Sequence, residues 1–260
     1  MGLQPVSNRY WCPRPATTSE QASKIDLLRN KFSTVLQATE GSALAQSLLA
    51  RELANRYPNA LDALKPETPT PPETADLIDA ALRVPEDLCL LQRVDEEYLL
   101  VAACVTAPSY WYLPDKVGST LAGVHDPVPG LNRALGQRMK TFFTKLPKDR
   151  TFMRRNWFLH HSASLFQPAA EVRSMVSTAT QAAALTIRSE TQTLRRLHPD
   201  VVVFTIAVEC HTLADIKDHP MAARSLLNAL HSRTNEERTA AGQNMYEQGV
   251  SALLQSIIHR

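Results

Sequence analysis

The chain has 260 residues, of which 44% are hydrophobic and 21% are charged, and this balance is typical of a globular protein. Its net charge is +2 with the two signs interspersed, so no basic face indicates nucleic-acid binding. No apolar run approaches the roughly 18 residues that a membrane-spanning helix needs, and the opening MGLQPVSNRYWCPRP lacks the apolar stretch of a signal peptide. We therefore expect a soluble, cytoplasmic protein that binds neither nucleic acid nor membrane.

The first seventy residues are predicted to be helical. Thr18 and Gln21 have the spacing of a capping box, and the stretch SALAQSLLARELANRY repeats the helical pattern of apolar residues. The segment Lys65–Thr74, KPETPTPPET, is rich in proline and is predicted to be an extended linker. A short helix, TADLIDAALRV, follows and is predicted to end at Pro85.

After Pro85 the pattern becomes typical of β-strands. The stretch DLCLLQRVDEEYLLVAACVTAP predicts a hairpin around the polar turn Asp95–Glu97. Three more candidate strands are TFMRRNWFLHH, AALTIRSETQTLRRL and DVVVFTIAVEC. The last is almost wholly apolar, which predicts a central strand, and its short link HPD to the preceding strand predicts that the two are antiparallel neighbours.

Helices are predicted between and after these strands. The stretch LNRALGQRMKTFFTKL lies between the second and third strands, and the tail from Leu213 to Arg260 is again helical in pattern. This order indicates an α+β fold, with helices packed on one antiparallel sheet. We expect a helical N-terminal segment and linker at 1–75, a core at 76–212 and a helical C-terminal segment at 213–260, forming one structural unit overall.

The cysteines and histidines do not form a metal-binding pattern in the sequence. The four cysteines are scattered, without a CxxC pair, so a zinc knuckle or an iron–sulfur cluster within this chain is not expected. The plain interpretation is that they are reduced and mostly buried thiols. None of the eight histidines has HxH or HExxH spacing, and the adjacent His160 and His161 would point to opposite faces of a strand.

His125 is the histidine with the most distinctive surroundings. It lies in DKVGSTLAGVHDPVPGL, Asp115–Leu131, where Pro127 and Pro129 stiffen the backbone and where Leu121, Val124 and Val128 are close in sequence. A single axial imidazole suffices for iron when a haem macrocycle supplies the other four ligands. On composition alone, a buried or half-buried turn histidine that is hydrogen-bonded to a carbonyl is the favoured interpretation.

Several short sequence motifs are distributed, in a recognisable order, over most of the chain. They are MGL with Trp11, EDLCLL (86–91), PSYWYLPDKVGSTLAGVHDPVPG (108–130), RRNWFLHHSASLFQP (154–168), SETQTLRRL (189–197) and VVFTI (202–206). In this order and spacing the chain resembles the haem-binding subunit of the haem-dependent oxidative N-demethylases.

This resemblance implies a fold, a cofactor and a reaction. The implied fold is a PAS-like antiparallel sheet with helices, and the implied cofactor is haem b. The implied reaction is the oxidative removal of a methyl group from a small secondary amine such as dimethylamine, with O2 as oxidant and with the primary amine and formaldehyde as products. Electrons would come from NADPH through a partner, a reductase that carries FMN and a [2Fe–2S] centre.

Carried over by position, the resemblance assigns roles to individual residues. His125 would be the axial ligand of the haem iron. Arg154, Asn156 and Arg196 would contact the cofactor, and the two arginines could pair with its propionates through charge-assisted hydrogen bonds. Glu190 could hold a dimethylammonium cation, and its alternative is a structural ion pair with a strand neighbour.

Other residues of the same motifs have less defined roles. Trp157 and Trp111 are expected to be core aromatics. Gln192, Thr193, Leu194 and Arg195 belong to the same motif as Glu190, with no individual role assigned.

Two departures from the family pattern keep other functions open. Thr191 stands where the family commonly has arginine, and Ala207 and Val208 stand where it tends to have Arg-Thr. The loss of two cations could change the substrate, the docking of the reductase or the activity itself. The alternatives are a non-catalytic haem-binding sensor with a PAS-like fold and a haem-free protein that keeps the fold as a structural unit.

Overall fold

The computed structural model describes residues 2–61, 71–124 and 140–259. Its strands are β1 Gln4–Val6, β2 Leu36–Ala38, β3 Asp87–Val94, β4 Glu97–Cys104, β5 Thr151–His160, β6 Thr186–His198 and β7 Val201–Thr212. They form one antiparallel sheet in the order β1-β5-β6-β7-β3-β4-β2. With helices packed on this sheet, the predicted α+β fold class is confirmed.

The helices lie before, within and after the strand region. Their bounds are α1 Thr18–Asn30, α2 Phe32–Val35, α3 Ala43–Arg56, α4 Ala75–Arg83, α5 Leu121–Val124, α6 Ala179–Ala183, α7 Pro220–His231, α8 Asn235–Ala240 and α9 Glu247–Ile258. Residues 140–145 are also helical. Within the described ranges, no helix has the length and apolar character needed to cross a bilayer.

The long strands follow the sequence prediction closely. β3 and β4 form the predicted hairpin, and Asp95 in its turn has a φ of 45°, a left-handed conformation that aspartate tolerates better than most residues. β7 is the middle strand of the sheet and is hydrogen-bonded to β6 and β3. Its first residues, Val201–Val203, are buried. The predictions of a central fifth strand and of its antiparallel pairing with the fourth are therefore confirmed.

The N-terminal region differs from its purely helical prediction. β1 pairs with β5 through Pro5 and Phe152, and β2 pairs with β4 through Gln37 and Ala103. Each of these strands has three residues, which is too short for an alternation of apolar and polar residues to show in the sequence. Their partners lie far along the chain, so only the tertiary fold reveals them.

The capping box of α1 lies one residue earlier than predicted. The Thr17 hydroxyl accepts a hydrogen bond from the Glu20 backbone N–H at 3.3 Å, and the Glu20 carboxylate accepts one from the Thr17 N–H at 2.8 Å. Glu20 also forms a salt bridge with Arg14 at 2.6 Å. The hydrogen bond from Arg14 and the capping contacts lower the pKa of Glu20 to about 2. The Glu20 carboxylate is therefore charged throughout the neutral pH range.

The described residues form two compact units. The first contains Met1–Arg155 and Thr191–Ala207, and the second contains Asn156–Glu190 and Val208–Arg260. The two compact units do not show which segments fold independently. The predicted boundaries of the three segments, after residues 75 and 212, therefore stay a prediction. The predicted linker at 65–74 falls largely outside the described residues.

Trp11 anchors the N-terminal segment within the first unit. Its ring is fully buried, with the Arg195 Cζ 4.5 Å and the Arg56 Cζ 5.9 Å from the ring centroid. Arg195 also pairs with Glu52 at 3.4 Å. Cation–π contacts of this kind gain strength where water is excluded, so Trp11 holds the start of the chain to β6.

Two buried charged side chains fix the beginning of β3. The Lys24 ammonium donates hydrogen bonds to the carbonyls of Ala81, Val84 and Glu86 at 3.0, 2.9 and 2.7 Å. The Asp87 carboxylate accepts from the Thr106 N–H and hydroxyl at 2.7 and 2.9 Å and from the Ala107 N–H at 3.1 Å. Burial raises the pKa of Asp87, because its charged form has lost water.

The Asp87 contacts predict a large stability loss on truncation. We expect Asp87→Ala to lower the free energy of unfolding by about 2–4 kcal/mol, because the buried N–H and hydroxyl of Thr106 lose the carboxylate that accepts their hydrogen bonds. Urea unfolding followed by circular dichroism measures this loss. Asp149→Asn, at an exposed position in the same unit, is the matched control and should change the free energy little. Equal stability of the Asp87 and Asp149 variants would contradict the anchoring role.

Candidate functional site

An aromatic cluster covers one side of the sheet in the first unit. Its rings meet edge to face, with centroids 5.2 Å apart for Phe142 and Phe152 and 6.0 Å apart for Phe142 and Phe143. Tyr98 lies 5.4 Å from Phe143. The cluster also contains Leu194 of β6 and Val202 of β7, with Trp111 and Phe204 packed against it. Trp111 was expected to be a core aromatic, and it is half-buried against this cluster and not fully enclosed by it.

The described residues just before and just after the segment that contains His125 pack on the aromatic cluster. Leu121 and Val124 of α5 contact it on the N-terminal side, and Phe142, Phe143 and Leu146 belong to it or contact it on the C-terminal side. Residues 125–139, and therefore His125 itself, lie outside the described residues. The residues before and after this segment therefore contact the same apolar surface, the aromatic cluster.

Arg154 and Gln192 are brought together beside the aromatic cluster. Arg154, on β5, is half-buried and donates from Nε to the Gln192 Oε1 at 2.5 Å. Phe152 and Leu194, which belong to or contact the cluster, are each two residues from this pair on the same strands. Since side chains two apart on a strand point to the same side, the pair continues the surface of the cluster.

Arg196 lies on the same side of β6 but is held by the protein. Its Nε donates to the Leu146 carbonyl at 2.7 Å and its Nη1 to the Tyr98 hydroxyl at 3.1 Å. Nη1 and Nη2 also donate to the carbonyls of Pro199 and Phe143. Arg196 therefore ties residues 143–146 to the sheet, and its predicted contact with a cofactor stays a prediction.

Asn156 and Glu190 belong to the second unit. The Asn156 Oδ1 accepts from the Trp157 N–H at 2.9 Å, and Glu190 is only 6% exposed on β6. Trp157 packs against the core of this unit under the Arg233 guanidinium, whose Cζ is 4.4 Å from the ring centroid, as expected of a core aromatic. The predicted roles of Asn156 and Glu190 in binding and catalysis stay predictions.

Sequence reasoning missed the buried polar centre of the second unit. Arg188 has no exposed surface and donates to the carbonyls of Ser164 and Leu165 at 3.2 and 3.0 Å. The His160 Nδ1 lies 3.1 Å from the Gln167 Oε1, and burial, with a smaller contribution from the charge of Arg188, lowers the pKa of His160 to about 4. The sequence signal that could have revealed this centre is the alternation of side chains along β6, which places Arg188 on the same side of the strand as Glu190.

Among the described residues, the cysteines and acidic residues do not converge on a metal site. Across residues 2–61, 71–124 and 140–259, no group of three or more His, Cys, Asp or Glu side chains could hold a metal ion. Cys12, Cys89 and Cys104 are buried free thiols and Cys210 is half-buried, which confirms that most of the cysteines are buried. Burial raises the pKa of Cys104 to about 12, so its thiol stays protonated at neutral pH.

Comparison with known proteins identifies the family. The sequence model of the family described as haem-dependent oxidative N-demethylase, alpha subunit-like, matches residues 18–250. The chain belongs to this family. No curated protein matches the chain. The family assignment made from the motifs is therefore confirmed, and the matched range includes His125, Arg154, Asn156, Glu190 and Arg196.

The described residues fit the haem on which this N-demethylase-like family depends. A haem has two broad apolar faces, two carboxylate side chains and an iron that a single imidazole can bind. The aromatic cluster supplies apolar surface at both ends of the segment with His125, and Arg154 supplies a cation at its border. The chemistry of these groups therefore agrees with the cofactor in the family name.

The shifted pKa of His160 predicts acid sensitivity of the fold in this N-demethylase-like chain. Because its pKa falls from 6.5 to about 4 on folding, unfolding takes up a proton between these values. The contribution of His160 is complete above pH 6.5 and is lost as the pH falls toward 4. We expect His160→Gln to flatten the fall in unfolding free energy over this range, measured by urea unfolding at pH 7, 6, 5 and 4.5.

The exposed His211 on β7 provides the control for that measurement. His211→Gln should leave the pH dependence as it is in the unaltered protein. Parallel curves for the unaltered protein and His160→Gln would show that His160 titrates normally and would contradict its burial in the neutral form.

Proposed function

We propose that this chain is the haem-binding subunit of an oxidative N-demethylase that acts on a small secondary amine such as dimethylamine. The observation that carries the proposal is the family match over residues 18–250. The aromatic cluster at both ends of the His125 segment and the Arg154 guanidinium beside it support the proposal, because they suit a large, flat, apolar cofactor with carboxylate side chains.

The proposed cofactor is haem b, with His125 as its axial ligand. Proline on both sides of Val128 limits the backbone near His125, which would keep the imidazole in place. Arg154, Asn156 and Arg196 are the proposed polar contacts. Either Arg154 or Arg196 is the proposed partner of a propionate, and the Nε and both Nη groups of Arg196 also donate to oxygens of the protein.

Haem bound in this way would supply the activation of O2. The overall reaction consumes one secondary amine, one O2, one NADPH and one proton, and yields the primary amine, formaldehyde, water and NADP+. The family description as an alpha subunit implies a partner subunit. We propose that this partner is a reductase that passes electrons from NADPH through FMN and a [2Fe–2S] centre.

Glu190 is proposed to bind the substrate. A secondary amine is a cation at neutral pH, and a carboxylate in a poorly hydrated place attracts a cation more strongly than one in water. Glu190 is 6% exposed, so such a place exists at its position on β6. The carboxylate would orient the ammonium group for oxidation at its methyl carbon.

A haem-binding sensor without catalysis is the second candidate function. The observation that favours it is the replacement of family arginines near the motif residues by Thr191 on β6 and Ala207 on β7, both of which are half-buried. The two candidates differ in turnover. A chain that binds haem but consumes no NADPH or O2 with any small secondary amine and a reductase would be a sensor, and a chain that takes up no haem would be neither.

The proposed axial ligand is tested by His125→Ala. We expect the variant to lose the Soret band of the unaltered haem-loaded protein or to shift it strongly, because no other group is proposed to bind the iron on that side. Absorption spectra of His198→Ala and His211→Ala, prepared in the same way, are the controls and should be unchanged. An unchanged Soret band in His125→Ala, with loss in either control, would move the ligand to that histidine.

The proposed substrate contact is tested by Glu190→Gln, which keeps the shape and removes the charge. We expect kcat/KM for dimethylamine to fall about 10- to 100-fold, mainly through KM, because a buried cation would lose its ionic partner. Haem content should stay the same. Glu209→Gln, at an exposed position on β7, is the control. An unchanged KM with a loss of stability would instead support the structural ion pair.

A further inference from the structure

Two of the three tryptophans are next to a residue with a left-handed backbone. Among the described residues, the non-glycine residues with positive φ are Cys12, Asp95 and Tyr110, at 41°, 45° and 58°. Cys12 follows Trp11, and Tyr110 precedes Trp111. Aspartate tolerates this conformation, whereas a bulky tyrosine is an outlier in it. Backbone strain of this kind persists where the surrounding structure enforces it, and strained residues cluster at ligand sites.

The chain on both sides of this tyrosine is fixed to the sheet. Before it, the Asp87 carboxylate accepts hydrogen bonds from the backbone N–H groups of residues 106 and 107 at 2.7 and 3.1 Å. After it, Leu113 is 1% exposed within the aromatic cluster, and the Gly118 N–H donates to the Leu100 carbonyl at 2.7 Å. The left-handed residue lies between these two attachments, so its backbone helps to set the direction of the side chain that follows it.

The side chain that follows is Trp111, which packs against the aromatic cluster and is half-buried there. Three further aromatic residues, Phe142, Phe152 and Phe204, are half-buried against the same cluster. Half-buried aromatic residues leave apolar surface open, so the border of the cluster offers a place for a large apolar ligand. An indole ring is larger than a phenyl ring, so Trp111 has the most flat surface to present to such a ligand.

We propose that Tyr110 is a positioning residue whose left-handed backbone turns the Trp111 indole toward a face of haem bound at the aromatic cluster. The inference rests on the proposed function, since it requires that the chain binds haem. Trp111 contacts the cofactor in this proposal, and Tyr110 acts through Trp111. Stacking of two flat aromatic systems is favourable beyond the apolar area that it buries, so the placement of the indole affects how firmly haem is held.

Two variants separate the backbone of Tyr110 from its side chain. Both Tyr110→Asn and Tyr110→Val remove the phenol ring. Asparagine adopts the left-handed conformation readily, whereas the β-branched valine resists it. The control is Asp95→Val, which places the same residue at the left-handed position of the hairpin turn, where the chain is exposed. It repeats the backbone change away from Trp111.

The measured quantities are the rate of haem loss to an excess of apomyoglobin and the emission of Trp111 in the haem-free chain. The emission is recorded with phenylalanine in place of Trp11 and Trp157, and haem loss with all three tryptophans present. We expect Tyr110→Val to lose haem roughly tenfold faster and to shift the Trp111 emission to longer wavelength. Tyr110→Asn should keep the emission, with haem loss within about twofold of the unaltered protein. Asp95→Val should be less stable in urea without either change.

A double variant tests whether Tyr110 acts through Trp111. Trp111→Leu, which stays apolar but lacks the ring, should by itself lose haem about tenfold faster, and Tyr110→Val should then cause no further increase. Unchanged haem loss in Trp111→Leu would overturn the inference and leave the proposed function intact. So would equal effects of Tyr110→Asn and Tyr110→Val, or additive effects in the double variant. An unaltered protein that takes up no haem would overturn the proposed function and this inference together.

Discussion

The alternation of side chains along β6 is the constraint on which the first unit depends. One side of the strand carries Arg195, which covers Trp11 and pairs with Glu52. The other side carries Gln192 and Leu194, which serve the Arg154 contact and the aromatic cluster. A shift of β6 by a single residue would exchange the two sides. Trp11 and Glu52 would then lose their contacts with Arg195, and the charged Arg195 side chain would face the aromatic cluster. The fold and the candidate site are therefore specified by the same register.

The long strands were predictable because each carries its own signal. β7 is rich in β-branched residues, and β3 and β4 flank a polar turn, so local sequence was sufficient for their existence and pairing. The three-residue strands β1 and β2 form only because β5 and β4 offer unpaired backbone groups beside them. The one-residue error in the capping box of α1 has a similar cause, because the salt bridge between Arg14 and Glu20 selects between two caps that look alike in sequence.

The candidate site was predictable in part. The motifs led to the family, and period-two alternation would have placed Gln192 beside Leu194 on one side of β6. The sequence did not distinguish Arg154 from Arg196, since each is an arginine in a matching motif. The difference is made by distant groups: Arg196 is held by the Tyr98 hydroxyl and by carbonyls that follow the His125 segment, and Arg154 meets an amide from the neighbouring strand. Such cross-strand partners depend on register, which local sequence does not reveal.

The placement of the three tryptophans makes the protein its own optical probe. Trp11 is fully buried beneath Arg195, Trp111 packs on the aromatic cluster, and Trp157 lies under Arg233 against the core of the second unit. Each ring therefore has a different environment and its own emission. Variants that keep one tryptophan, with phenylalanine at the other two positions, would report separately on the N-terminal anchor, on the surface beside the His125 segment and on the second unit. Energy transfer to a chromophore bound at the aromatic cluster would dim Trp111, which packs against that cluster, so the protein's own fluorescence would report on the chromophore without a label.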